Sequence, residues 1–314
     1  MFERIKILFI ALAQLLGLIT AVVSTITLFN QLHRYLELLS NFRMQYFFAS
    51  IACLLPLLLL KSYKSAALMA VIVILNTAYI LPWYFSPETA ANDQIQIKLM
   101  HSNVYTPNNN YQKLIDIVLE ENPDILILQE VNQLWLDNLQ TLEPHYPYQF
   151  AVPRQDNFGI AVLSKYPFDT IEEIYWGIIH VPSLRFDITV SGFQFTTLAT
   201  HPLPPSTPSN SLARNAQLNE VVEIASGIQT PLVVIGDLNV SMWSNNYRPF
   251  EEVAQLTNTR QGQGILPTWP VMLPIAMIPI DHCLVSSHFT VQEMKVSREM
   301  GSDHLPIMVT LGID

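Results

Sequence analysis

Hydrophobic and polar positions divide this chain into two unlike parts. Before residue 87, three stretches (5–29, 44–60 and 65–85) are apolar almost without interruption. The first holds one Lys near its start, and the other two hold no charge. Each is close to the ~20 residues that a membrane-crossing helix needs, the second being the shortest. The third closes on Pro82-Trp83-Tyr84-Phe85, aromatics suited to a membrane–water interface. A cleaved signal peptide would not be followed by two more such runs. The pattern therefore predicts three transmembrane helices within a head of residues 1–86. A polar linker follows at 87–94, and a body at 95–314.

In the body the pattern changes to short alternating or continuously apolar segments broken by Asn, Gly and Pro. Strands are expected at 95–101, 124–130, 157–167, 185–190, 193–201 and 276–285, with a last one at 307–311. Another begins at 148–150, and a buried one runs from Val233 into Gly236. Helices are expected at 111–121, 135–142, 212–226 and 249–256. Strands alternating with helices indicate an α/β body.

Charge sharpens the division. Residues 1–86 contain two acids and six bases, a net of +4, and residues 87–314 contain 24 acids and 10 bases, a net of −14. Arg4 and Lys6 flank the first run, and Lys61 and Lys64 fill the second short loop, whereas 86–96 has no Lys or Arg. The excess of bases on one side places the amino terminus inside and the body outside, periplasmic or extracellular in a bacterium. Arg34 and Arg43 in the first loop run against that assignment. An acidic body repels polyanions within about a Debye length, roughly 8 Å at physiological salt, which weighs against unspecific binding of long DNA. Cys53 lies in an apolar run and Cys283 deep in the body, so no disulfide is expected.

Candidate chemistry clusters at strand ends. Val233 to Asn239 reads VVIGDLN, placing Asp237 and Asn239 two apart at a strand's carboxyl end, where α/β folds keep their chemistry. Glu130 ends an apolar strand and is a hard oxygen ligand of the kind Mg²⁺ prefers. Asn103 and His201 also sit at strand ends. Asp281 lies among apolar residues and needs a partner; an imidazole is the natural one. Ser302-Asp303-His304-Leu305-Pro306, followed by a final strand, supplies it. Each signal alone fits an ordinary turn or a solvated strand exit.

Taken together, SNV at 102–104, LQE at 128–130, THP at 200–202, GDLN at 236–239, PIDH at 279–282 and SDHLP at 302–306 resemble the endonuclease/exonuclease/phosphatase superfamily, with its deoxyribonuclease-I-like fold. The resemblance spans about 95–312. The apolar head, THPLPP and the helix bearing Arg214 and Gln217 resemble its membrane-anchored bacterial branch. It implies two packed β-sheets flanked by helices, a four-layer sandwich with the site at one end. It also implies a divalent cation, Mg²⁺ with Mn²⁺ as the alternative, held by Glu130, Asn103 and Asp303. Asp237 would orient or deprotonate the attacking water, and Asn239 would hold a phosphate oxygen. His304 would contact the scissile phosphate with Asp281 fixing its tautomer, and His201 would serve the phosphate or leaving-group side.

The function expected is a Mg²⁺-dependent phosphoesterase tethered to the bacterial inner membrane and acting outside the cytoplasm. Its partners would be the bilayer, met through three helices, and a phosphorylated substrate, either lipid-linked or nucleic acid. No obligate protein partner is inferred. The alternative in chemistry is a nuclease acting on DNA or RNA, which a Lys/Arg-rich groove would favour. The alternative in class is a non-catalytic scaffold, which failure to bind metal would favour.

Overall fold

The computed structural model describes residues 2–85 and 95–313; the linker at 87–94 lies outside the described residues. The first part holds helices α1 (Phe2–Ile26), α2 (Arg34–Ser40), α3 (Arg43–Leu59) and α4 (Tyr63–Ile80). α1 and α4 run in the same direction, because Gln14 donates to Ser65 Oγ at 2.9 Å and Asn76 donates to Ser24 Oγ at 2.9 Å. α3 runs the opposite way, since Arg43 at its start donates to the carbonyl of Ser24 near the end of α1, at 3.0 Å. Arg4, Lys6, Lys61 and Lys64 thus stand at the far end of the bundle, and Arg34 and Arg43 at the end that meets the body. Arg43 is buried there, its guanidinium 4.2 Å from the Tyr79 ring centroid.

Of the three expected spans, two are matched by length and composition, and the third rests on a bent pair of helices. Two stretches, Glu3–Leu32 and Tyr63–Tyr84, are long and apolar enough to cross a membrane. The second run forms α3, only 17 residues long, which with α2 makes a pair bent by 67°; counted as one broken span, that pair brings the number to three. The chain turns at Asn41 and Phe42, ahead of the apolar run, so α2 leaves the bundle axis and lies against the body.

The body contains two six-stranded sheets. The first is built from β1 (Ile95–Asn103), β2 (Ile125–Gln129), β3 (Tyr148–Val152), β4 (Ile160–Ser164), β11 (Thr290–Val296) and β12 (Ile307–Ile313), in the order β11-β12-β1-β2-β4-β3. The second is built from β5 (Phe168–Tyr175), β6 (Pro182–Val190), β7 (Phe193–Ala199), β8 (Leu232–Asp237), β9 (Thr257–Asn258) and β10 (Asp281–Val285), in the order β5-β6-β7-β8-β10-β9. A buried core joins the inner faces, with Ile97, Ile127 and Val309 of one sheet against Phe186, Val233 and Cys283 of the other. Helices α5 (Tyr111–Glu121) and α6 (Gln133–Leu139) cover the outer face of the first sheet. α7 (Pro208–Gly227) and α8 (Arg248–Glu252) cover the second. Ile80 and Trp83, at the end of α4, join that second outer core.

The strand expected at 276–285 begins only at Asp281; before it, Ile278 makes an isolated bridge to Trp269. α7 starts earlier than expected, capped by Thr207 with Pro208 in its first turn. β5 and β11, at the sheet edges, were not anticipated. One topological feature positions the site. β1 and β2 are parallel, as are β7 and β8, so their carboxyl ends share one edge of the sandwich. β10 and β12 run antiparallel to β8 and β1, so the residues entering them arrive at that same edge.

Candidate active site

All eight residues singled out in the sequence lie at this edge. Asn103 ends β1 and Glu130 follows β2; His201 follows β7 and Asp237 ends β8, with Asn239 two residues on. Asp281 opens β10, while Asp303 and His304 precede β12. Glu130, Asp237, Asn239, His201, Asp303 and His304 line one cleft of ≈ 800 Å³.

The centre of the cleft is Asp237. His201 Nε2 lies 3.4 Å and His304 Nε2 3.6 Å from its Oδ2, and Asn103 donates to the same oxygen at 3.4 Å. Asn103 also donates to Glu130 Oε1 at 2.9 Å, and the backbone N–H of Thr106 donates to Glu130 Oε2 at 3.3 Å. Asp281 sits behind His304, its Oδ2 2.9 Å from Nδ1. That contact leaves His304 Nε2 directed at Asp237.

Gln129 ties the two sheets together beneath the site. It donates to the carbonyl of Thr200 at 2.9 Å and accepts from the Asp237 N–H at 3.0 Å. The Thr200 carbonyl also explains Gly236. A Cβ there would stand 2.1 Å from that oxygen, so the glycine is required by close approach rather than by a turn, and β8 continues through it. Tyr105, Glu130 and Asn239 all have positive φ, of 58°, 64° and 52°. Left-handed backbone at a non-glycine residue costs of order 1–3 kcal/mol and persists where its surroundings enforce it. Asn239 is therefore not aligned with Asp237 by simple strand alternation. Its N–H caps Asp237 Oδ1 at 2.9 Å, and its amide donates to the Pro202 carbonyl at 2.9 Å.

Charge in the site is unevenly balanced. Burial disfavours the charged form of His304, but the carboxylates of Asp281 and Asp237 outweigh it and push the group up to about 10. Burial likewise opposes the charge on Asp281, and His304 and His101 overcome it and hold the carboxyl low. The two form a buried ion pair. His201 is raised in spite of burial, by the Asp237 carboxylate first and Glu130 second. Glu130 is raised by its own burial, which the nearby His201 and Asn103 only partly offset.

His101 was not singled out in the sequence. It is fully buried on β1, with Nδ1 3.5 Å from Asp281 Oδ1, and burial holds it below the usual histidine range. Alternation along β1 puts it on the same face as Asn103, two residues away, and that spacing was the available signal. Trp269 stands in the irregular segment ahead of β10. Its Nε1 donates to Asp303 Oδ2 at 3.0 Å, and its ring lies 6.3 Å from that of His304.

The residues present fit a divalent cation. Glu130, Asp237 and Asp303 face one cleft, and among the described lining residues the only Lys or Arg is Arg34. Asp303 Oδ1 is buried without a hydrogen-bond partner. Oxygen-rich, under-neutralised sites of this kind suit Mg²⁺ or Mn²⁺. Asp237, Asp281 and His304 also bring ligand atoms within 4.8 Å of one another, but Asp281 is fully buried and engaged by His304.

Comparison with known proteins agrees with this geometry. No curated protein sequence matches the chain. Among solved structures, humanized D. rerio TDP2 with 14 mutations is 19% identical with a TM-score of 0.58, covering 69% of this chain and 99% of that one. The human Nocturnin catalytic domain with bound sulfate anion is 19% identical at a TM-score of 0.57, covering 70% and 96%. An endonuclease/exonuclease/phosphatase from Bacteroides vulgatus is 17% identical at 0.57, covering 70% and 100%. These likenesses show a shared fold. The family model described as the Endonuclease/Exonuclease/phosphatase family matches residues 100–304, which contain every site residue above, and the chain belongs to that family.

Proposed function

We propose that this protein is a membrane-anchored, divalent-metal-dependent phosphoesterase that hydrolyses a phosphate ester or anhydride carried on a lipid, outside the cytoplasm. The observation that carries the reading is the convergence on Asp237 of His201, His304 and Asn103, the last bonded to Glu130. In-line attack on phosphorus needs an oriented water, neutralised oxygens and a proton for the leaving group.

Asp237 is the acceptor that orients and deprotonates the water. His304, held as an imidazolium by Asp281, donates from Nε2 to a phosphate oxygen. His201, raised by Asp237, is the second donor, on the leaving-group side. Asn239 keeps one amide hydrogen free of the Pro202 bond to meet a phosphate oxygen. Glu130, Asn103 and Asp303 would hold the cation, which neutralises phosphate charge and lowers the pKa of bound water.

Three observations support a lipid-borne substrate over nucleic acid. Two stretches of the head are long and apolar enough to cross a membrane. The cleft is walled in part by the head itself, through Arg34, Tyr35, Leu38 and Asn41. Among the described lining residues Arg34 is the one guanidinium, where a polynucleotide backbone would call for several. We place the body outside because four bases stand at the far end of the bundle against Arg34 and Arg43 at the body end.

The test is hydrolysis by full-length protein in vesicles, with Mg²⁺ or chelator, of a lipid pyrophosphate, a phospholipid and plasmid DNA. Release of phosphate or headgroup that needs both metal and His304 supports the reading. Cleavage of DNA alone would replace it with a surface nuclease.

A further inference from the structure

Residues 261–280 contain no Asp, Glu, Lys or Arg, although they lie in the acidic body. Within them the loop 271–277 points its largest side chains outward: Met272 is 87% exposed, Ile275 81% and Leu273 53%. A cluster of exposed apolar residues on one loop marks a surface that meets something apolar. The head indicates what that is. Gln45, in the first turn of α3, donates to the carbonyls of Ile275 at 3.2 Å and Met277 at 2.9 Å. The loop is therefore pinned to the body-side end of the helical bundle, the level at which a leaflet surface would lie.

The other end of the segment enters the active site. Trp269, Ile278 and Ile280 line the catalytic cleft, opposite Tyr35 and Leu38 of α2. The Val271 N–H donates to the Asp303 carbonyl at 2.9 Å, while Trp269 holds the Asp303 carboxylate. One uncharged segment thus runs from an exposed apolar tip to the residues around His304.

Resting on the lipid-phosphoesterase reading above, we propose that loop 271–277 inserts into the bilayer leaflet. The apolar wall behind it then receives the hydrocarbon of a lipid phosphoester whose phosphate reaches Asp237 and His304. The substrate class is an amphiphile that stays partly in the leaflet during turnover. Tyr84 and Phe85, both exposed at the end of the head, flank the same interface.

The test begins with a fluorophore on Met272→Cys in the full-length protein. Cys53 and Cys283 are buried, so the new thiol is the one that reacts. In vesicles of phosphatidylethanolamine and phosphatidylglycerol, a spin label near the glycerol end of the acyl chain should quench most of the fluorescence. Aqueous iodide should quench little. Quenching by iodide and not by lipid would overturn the proposal. So would protection from both that disappears when protein is diluted at constant lipid, which would make the loop a contact between copies of this chain. This readout needs no turnover, so it stands or falls separately from the catalytic reading.

The second measurement uses the Met272→Ser, Ile275→Ser double variant. KM for a lipid phosphoester in vesicles should rise about tenfold, the order expected for losing an apolar anchor, while kcat/KM for a soluble chromogenic phosphodiester stays at the wild-type value. An unchanged KM would overturn the lipid path. An equal loss on both substrates would also overturn it, showing damage to the catalytic centre.

Discussion

Glu37 and Arg214 form a fully buried, bidentate ion pair, with Nη2 donating at 2.7 and 2.6 Å to the two carboxylate oxygens. Glu37 is on α2 of the head and Arg214 on α7 of the body. Glu37 also accepts from Ser244 Oγ at 2.8 Å, and Arg214 donates through Nη1 to the carbonyl of Asn239 at 2.8 Å. The pair thereby links the head to a residue of the active-site cleft. Asn41, Asn30 and the Trp83 carbonyl make further hydrogen bonds across the same seam.

Removing one partner leaves a buried charge unmatched, which costs about 3–5 kcal/mol. Glu37→Ala should therefore lower the melting temperature of the full-length protein in detergent and also reduce kcat, because Arg214 loses its hold beside Asn239. Glu37→Met with Arg214→Met should recover most of the stability, since an apolar replacement of both partners is close to neutral. Equal stability of Glu37→Ala and wild type would mean the seam opens in solution.

Asp281→Asn keeps the shape of the His304 partner but removes its charge. His304 then loses the largest contribution favouring the imidazolium, and its pKa falls. A general acid or base of this kind is worth about 10²–10⁴-fold, so kcat should drop within that range with KM little changed. A pH–rate profile checks the cause: the limb on which activity is lost as His304 deprotonates should move to lower pH in the variant.

Asn103 fixes the orientation of Glu130 and touches Asp237. As a proposed cation ligand that also holds Glu130, it contributes at least as much metal affinity as a hydrogen-bond partner of a ligand does, about 10–100-fold. Asn103→Ala should raise the Mg²⁺ concentration for half-maximal activity by that factor, read by titrating metal back into chelated enzyme. Saturating Mg²⁺ should restore a substantial part of the rate.

His282 provides a stability switch away from the cleft. It is fully buried, and burial first and the Arg260 guanidinium second push it down to about 3 from an ordinary 6.5. Its Nδ1 lies 3.2 Å from Arg260 Nη1 and its Nε2 2.8 Å from the Val240 carbonyl. Between these two values the unfolded chain binds a proton that the folded chain does not, so stability is complete above about 6.5 and declines as pH falls towards about 3. Urea titrations across that window should show the decline in wild type and a shallower one in His282→Gln.

The candidate site was legible because each residue stands where a short apolar segment ends in a polar side chain. Asp237 after VVIG and Glu130 after ILILQ are visible without knowing which strands neighbour which. His101 was missed because it reads as one more residue in an alternating strand, and only the approach of β10 shows that it meets Asp281. β5, with its FDTIEEIY pattern, and β11 were missed because edge strands bury less and alternate weakly. The second apolar run reads as one straight span on composition alone. The bend between α2 and α3 depends on contacts of α2 with the body, which hydropathy does not report.

By itself, the order of apolar and polar residues determined the two-part organisation, most strands and helices, and the eight polar side chains at strand ends. Those are local properties: burial and backbone preference act over a few neighbours. Tertiary structure alone decided which distant residues share a site. The parallel pairing of β1 with β2 and of β7 with β8 brings their carboxyl ends to one edge. The pairing of Glu37 with Arg214 and the tie from Gln45 to loop 271–277 carry the head to that same edge. Such contacts join residues far apart in the chain, and they form only once many segments have packed at the same time.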